Sequence, residues 1–269
     1  MSWVWVLRAC LLRDYRTDRS YLAAFALGVL GSLVSLALFF YLAGLVDPGD
    51  VDDPAAEAAG FFTFLVIGIA VYDILNALLV SIPARVRQDQ LTGALEALLT
   101  TRAHPFAIAL GYGLYDLVRK LLETVVLVVV AVAVFDADFV VTWEGLTVAV
   151  AALVLVVVLF AAMGVAAAGF VIAYKRVQAV IGLVATVIAL VGTVYYPANV
   201  LPRGLEVVAE LNPLTWGLDV IRAALTGTDV EAWQLVLLGV VAALSIPAAA
   251  GVIHLAIRRA KRQGTLGAY

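Results

Sequence analysis

Asp73 stands in the middle of an otherwise apolar stretch, Phe61 to Ile82, and Asn76 follows three residues on, near the same helical face. Burying an acid at such a depth is expensive unless it is paired or protonated. Three roles fit it: contact with a polar substrate, carriage of a proton, or a structural hydrogen bond to Asn76 or a neighbouring helix. The last is the simplest, because nothing else marks a proton relay. A second group, Asp116, Arg119, Lys120 and Glu123, falls within eight residues. Its i,i+4 pairs, Asp116 with Lys120 and Arg119 with Glu123, can neutralise one another on one helix. A structural role at a membrane boundary is expected of it, and relay of a partner's movement is the alternative. His104 and His254 are far apart and lack accompanying ligands, so a metal site is not expected. Cys10 is the sole cysteine, which excludes an internal disulfide. There is no HExxH, no GxSxG and no pair of aspartates within apolar stretches. No catalytic residue is assigned.

These residues must be positioned by membrane helices. Of the 269 residues, 64% are hydrophobic and only 14% are charged. Soluble domains are roughly half apolar and a quarter charged, so this composition lies outside their range. A net charge of −3 offers no nucleic acid a partner. A bilayer core of about 30 Å needs about 20 apolar helical residues. Six stretches qualify: Tyr21 to about Val46, Phe61 to Ile82, about Leu114 to Phe135, about Gly145 to Tyr174, Val177 to about Tyr196, and Trp233 to Ile257. The intervening segments alternate in charge. Fifteen of the seventeen Lys and Arg fall in the amino-terminal segment, the second and fourth loops with their flanks, and the tail. The first and third loops carry only acids, and the two remaining bases, Arg203 and Arg222, share the fifth. The positive-inside rule then places both termini in the cytoplasm of a multi-pass plasma-membrane protein.

Three segments are not spans. In residues 1–20, Trp3, Leu7, Cys10 and Leu11 share one helical side while Arg8, Arg16 and Arg19 share another, the pattern of an interfacial helix. Arg8 and Arg13 interrupt any secretory apolar run. In residues 85–111, on the cytoplasmic side, Leu91, Leu95 and Leu98 recur as one amphipathic helical face, flanked by Glu96 and Arg102 and broken by Thr100 to Pro105. Such a face needs a cover, either lipid or a partner. In residues 197–232, Pro197 and Pro202 end the fifth span, and Leu205 to Leu211 can form about two turns. Asn212 is placed to cap a second short helix with Pro213 at its first position and Gly227 at its stop. Leu214, Leu218, Ile221 and Leu225 form its apolar face, and Asp219 and Arg222, three apart, could pair on its exposed side. The pair is too short to span. It can dip into the outer leaflet only if packed against protein. A run of small residues, Ala161 to Gly169, predicts close helix packing in the fourth span.

On these motifs the chain resembles the type-two ABC transporter permeases, over nearly its whole length. "LNPLTWGLDVIRAALTG" is the most specific part and "GALEALLTT" the next. The resemblance implies a single all-α permease domain over residues 1–269, with six transmembrane helices, an interfacial amino-terminal helix and an outer re-entrant helix pair. It further implies a dimer, or a pairing with a related permease, driven by two separate ATPase subunits. The ATPase would be met by Gly93, Leu95, Glu96, Leu98, Leu99 and Arg102, and the outer pair marked by Pro197, Pro202, Asn212, Pro213, Asp219 and Arg222. The pathway would form between two copies, with the first and fifth spans contributing. Export is the implied direction. The chain lacks a G-x-x-x-x-G-K-[ST] loop, so ATP and Mg would be bound by the partner, with no cofactor in this chain. The competing reading is a secondary transporter driven by an ion gradient, with Asp73 as its ion site. Such folds often carry related halves with broken helices, and no such repeat is visible here.

Overall fold

The computed structural model describes residues 7, 8, 10–13, 22–46, 53–101, 104–174 and 178–263. Every regular element among them is helical: α1 (Leu22–Ala43), α2 (Pro54–Leu91), α3 (Ala94–Leu99), α4 (Pro105–Phe135), α5 (Trp143–Ala173), α6 (Gln178–Val191), a 3₁₀ turn (Ala198–Val200), α7 (Arg203–Glu210), α8 (Pro213–Thr226) and α9 (Ala232–Gln263). Residues 7, 8 and 10–13 are also helical apart from the undescribed residue 9. Most of the expected interfacial helix, Trp3, Arg16 and Arg19 included, lies outside the described residues.

Among the described residues four helices are long and apolar enough to cross a bilayer: α1, α2, α5 and α9. The other two expected spans depart from that standard for different reasons. Helix α4 has 31 residues, but Arg119, Lys120 and Glu123 crowd its middle. Helix α6 is described over 14 residues, Gln178–Val191, and ends before the expected Tyr196, while the expected start at Val177 lies outside the described residues. Thr193 then adopts a left-handed φ of 53° and the chain turns. Helix α2 runs past its expected end at Ile82, through Pro83, to Leu91. At its start Asp53 caps the first turn, and Gly60, at φ 80°, kinks the chain before the main helix.

Connectivity gives the bundle a basic and an acidic end. At the basic end lie Arg85, the start of α4 and the close of α9; at the acidic end lie Asp53, the α4–α5 link, α7 and α8. Helix α5 is the hub, packing on α9, α2 and α8. Lipid supplies little hydrophobic drive between helices, so close backbone approach carries the packing. The small residues of α5 permit it. A Cβ on Gly164 would sit 2.6 Å from the Leu78 carbonyl oxygen, and one on Gly169 would sit 3.2 Å from the Ile253 Cα. Ala161, Ala162 and Ala168 are buried beside them. Helix α1, by contrast, packs on α4 and lightly on α2, and leaves Leu27, Leu30, Val34, Leu38 and Tyr41 exposed.

Candidate functional site

Helix α2 is buried on most sides, but Ile69, Asp73, Asn76 and Val80 remain partly or fully open. Their spacing of four, three and four puts them on one stripe. The stripe is flanked by α1 and α4 on one side and by α6 on the other; α6 packs on α2, and α1 and α6 have no comparable contact with each other. The result is a groove with α2 as its floor. At its acidic end Phe39 of α1 and Tyr195, beyond α6, stack at 5.8 Å and bring the walls together. Tyr72 ties floor to wall by donating to the Ala185 carbonyl at 3.1 Å.

Charges from α4 meet Asp73 in this groove. Lys120 Nζ lies 3.6 Å from Asp73 Oδ2 and 2.8 Å from Glu123 Oε2, and Arg119 Nε lies 3.0 Å from Glu123 Oε1. Glu123 is buried at 3% side-chain exposure, whereas Asp73 is 36% exposed. Gly28 of α1 makes room for this cluster, since a Cβ there would meet Glu123 Oε1 at 3.3 Å. The expected Arg119–Glu123 pair is therefore formed. The expected Asp116–Lys120 pair is not: Asp116 instead accepts two hydrogen bonds from Arg85, at 3.1 and 3.2 Å. The partner of Asp73 is Lys120 rather than Asn76, because the ammonium on α4 reaches across the helix seam. Asp73 is nine residues from Ile82, and Glu123 nine from Leu114. Both counts place the cluster about 14 Å along its helix from the basic-end boundary of the apolar stretch.

At the basic end, Gly93 breaks the chain between α2 and α3. Its φ of 75° suits glycine, and no side chain caps α3. Leu91 therefore belongs to α2 and does not share one helical face with Leu95 and Leu98. Leu95 is buried at 4%, in a core with Val86 and Phe106, and Leu98 packs against the same core. The apolar side of α3 is thus covered by the chain itself, while Gly93, Ala94, Glu96 and Ala97 face outward. Leu99 ends the helix, and Arg102 lies outside the described residues. Next to α3, the Tyr112 hydroxyl bonds Asp89, and Arg13 lies 3.9 Å from Asp89 and 5.2 Å above the Tyr112 ring. Cys10 packs against Gly111, where a Cβ would approach its Sγ to 2.9 Å. His104 acts as a cap: its Nδ1 accepts from the Phe106 N–H at the start of α4. Among the described residues no His, Cys, Asp or Glu group could hold a metal.

At the acidic end the two short helices form. Pro197 precedes the 3₁₀ turn and Pro202 precedes α7. The Asn212 side chain accepts from the Leu214 N–H at 3.1 Å, with Pro213 at the first turn of α8 and Gly227 left-handed at its stop. Leu214, Leu218 and Ile221 are buried. Asp219 and Arg222 do not make the expected surface pair. Arg222 turns inward and is only 2% exposed. Its Nη2 donates to the carbonyls of Thr193 and Val194, at 2.9 and 3.2 Å, and its guanidinium carbon lies 3.4 Å from the Phe64 ring centroid. The polar backbone beyond α6 draws it there, because buried carbonyls need donors. Asp219 stays half-buried beside a polar cavity of about 280 Å³, which Asp53, Asp229 and Glu231 also line. Burial pushes its carboxyl up to about 7, against the opposing charge of Arg222.

The sequence carried one overlooked signal for this arrangement. Gly68 sits inside α2, and a Cβ there would lie 2.2 Å from the Val194 oxygen and 2.6 Å from Arg222 Nη2. A glycine inside an apolar helix marks close approach of another chain segment.

A search of curated proteins finds no match to this chain. The family profile described as ABC-2 type transporter, by contrast, matches residues 1–226, which include the groove, α3 and both short helices. By that match over most of its length, and by the all-helical fold just described, this multi-pass membrane protein belongs to the ABC-2 type transporter family.

Proposed function

We propose that the chain is the membrane-spanning permease subunit of an ATP-driven exporter, working as a dimer with separate ATPase subunits that bind the ATP and Mg. The basic end then faces the cytoplasm, in keeping with the positive-inside rule. Six spans fit this arrangement, with α4 and α6 crossing alongside the four long apolar helices. The short helices α7 and α8 form the outer cap. The open faces of α1 and α6 meet a second copy, and the two grooves form one pathway.

The observation that supports this reading best is α3. A six-residue helix is held by Leu95 in the chain's own core and presents Glu96 to its surroundings. Its burial fixes it to the bundle, while its outer side offers a directed charge. Movement of a docked ATPase would pass through this element to Val86 of α2 and Phe106 of α4, its core neighbours. The amino-terminal segment, held at Asp89 and Gly111, would border the same partner.

The test is co-expression with a candidate ATPase subunit from the same genome and co-purification, comparing wild type with Glu96→Arg. Wild type should retain a stoichiometric ATPase. The variant should lose it while eluting as folded permease on gel filtration. A wild-type chain that never retains an ATPase overturns the coupling assignment.

A further inference from the structure

We infer that Asp73 is the recognition carboxylate for lipophilic organic cations entering the groove between α1 and α6. This deepens the permease reading and rests on it for the claim that the groove lies on a transport pathway.

The ion network is unevenly shared. Glu123 is buried and holds both bases tightly, Lys120 at 2.8 Å and Arg119 at 3.0 Å. Asp73 is held loosely, its ion-pair partner among the described residues being Lys120 at 3.6 Å, and is the most exposed member of the four. It is therefore the charge that can exchange its partner most readily. A cation arriving at Asp73 leaves Lys120 seated on Glu123. An anion meets bases that already carry Glu123, one of them shared with Asp73, and drawing either base away would cost a buried carboxylate a partner, which is strongly destabilising.

The walls select further. Ile69 and Val80 share the open stripe with Asp73, and Asn76 adds one neutral polar group. Tyr72 and Tyr195 both lie near enough to interact with Asp73 electrostatically. The stacked Phe39–Tyr195 pair closes the groove's acidic end. One accessible carboxylate in an otherwise largely apolar stripe suits a cation that carries its own apolar surface. A delocalised cation suits it best, because spreading the charge lowers the cost of bringing it out of water.

The experiment compares two ions of the same shape and opposite charge, tetraphenylphosphonium and tetraphenylborate. Each is equilibrated by dialysis with the full chain in nanodiscs of zwitterionic lipid, with empty nanodiscs as the blank. Tetraphenylphosphonium should bind saturably and tetraphenylborate should not exceed the blank. Asp73→Asn should weaken tetraphenylphosphonium binding by about tenfold or more, and Lys120→Met, which removes the competing ammonium, should strengthen it about threefold. Gel filtration checks both variants. If Asp73→Asn does not stay folded, Asp73→Ser, which also removes the charge, takes its place and should show the same loss. Preferred binding of tetraphenylborate, binding unchanged in Asp73→Asn, or no gain in Lys120→Met overturns the assignment. The assay needs no ATPase. Loss of cation binding with the ATPase still retained removes this site alone, and cation binding without a retained ATPase removes the coupling assignment alone.

Discussion

Gly68→Ala is the sharpest perturbation of the acidic end. The added methyl would sit 2.2 Å from the Val194 oxygen and 2.6 Å from Arg222 Nη2, where no flexible hydrocarbon can yield. Either the turn beyond α6 moves outward or the guanidinium leaves its two carbonyls. Forcing a methyl into a packed site costs roughly 1–3 kcal/mol. Losing a hydrogen bond from a charged donor adds about 1.5–3 kcal/mol. Alanine's better helix propensity returns at most about 1 kcal/mol. The net loss is then about 2–5 kcal/mol, which for a chain of this size lowers the melting temperature by roughly 5–15 °C. Gly251→Ala in α9 is the control, because nothing lies within 4 Å of its Cβ position.

Thermal melting of purified protein in detergent, followed by tryptophan fluorescence and gel filtration, reads the difference. Arg222→Met and the double variant complete a cycle. If Gly68→Ala acts by displacing Arg222, the two losses overlap and the double variant falls well short of their sum. A Gly68→Ala protein that melts with the Gly251→Ala control refutes the reasoning. So does strict additivity with Arg222→Met.

Two further outcomes are expected. Arg85→Gln and Asp116→Asn should each lower the melting temperature by a few degrees, and the double variant should match either single one, because they break the same bidentate pair; a fully additive cycle in the same melts would show that the pair is not energetically coupled. Asp219 has a folded pKa raised to about 7, so protonation favours the folded form, and its effect is a loss of stability as pH rises from about 4 to 7. Melting curves across that window should show a decline in wild type that Asp219→Asn flattens; an unchanged slope in the variant would remove Asp219 as its source.

Much of the architecture was readable because it depends on local chemistry. Asn212, Pro213 and Gly227 each act within one turn of their own position, and the structure forms the cap, start and stop expected of them. The small residues of α5 likewise announce close packing wherever the neighbour comes from. What could not be read was the partner of each charge. Lys120 has Asp116 one turn before it, yet its carboxylates are Glu123, one turn on in the same helix, and Asp73, which the α2–α4 seam places in reach. Arg222 has Asp219 one turn before it, yet it bonds to carbonyls 28 and 29 residues away. Asp116, which bonds Arg85, and Arg222 each leave a helical pair worth only about 0.2–0.5 kcal/mol for a tertiary contact. The leucine face of residues 91–98 failed at one residue. Gly93 ends one helix and starts another, and spacing alone does not show a left-handed backbone.

The early end of α6 at Val191 sets a condition on the surrounding lipid. The described stretch, Gln178–Val191, reaches about 21 Å, roughly 9 Å less than a typical hydrocarbon core. If α6 crosses the bilayer, that mismatch must be absorbed by local thinning of the membrane or by protein polar groups sunk below the headgroups. The turn that follows α6 takes the second course only where donors are supplied, since hydrocarbon offers none. Bilayer thickness therefore becomes a variable of this fold: thicker membranes push the turn at Thr193 and Val194 deeper and increase its dependence on one arginine, and thinner ones relieve it.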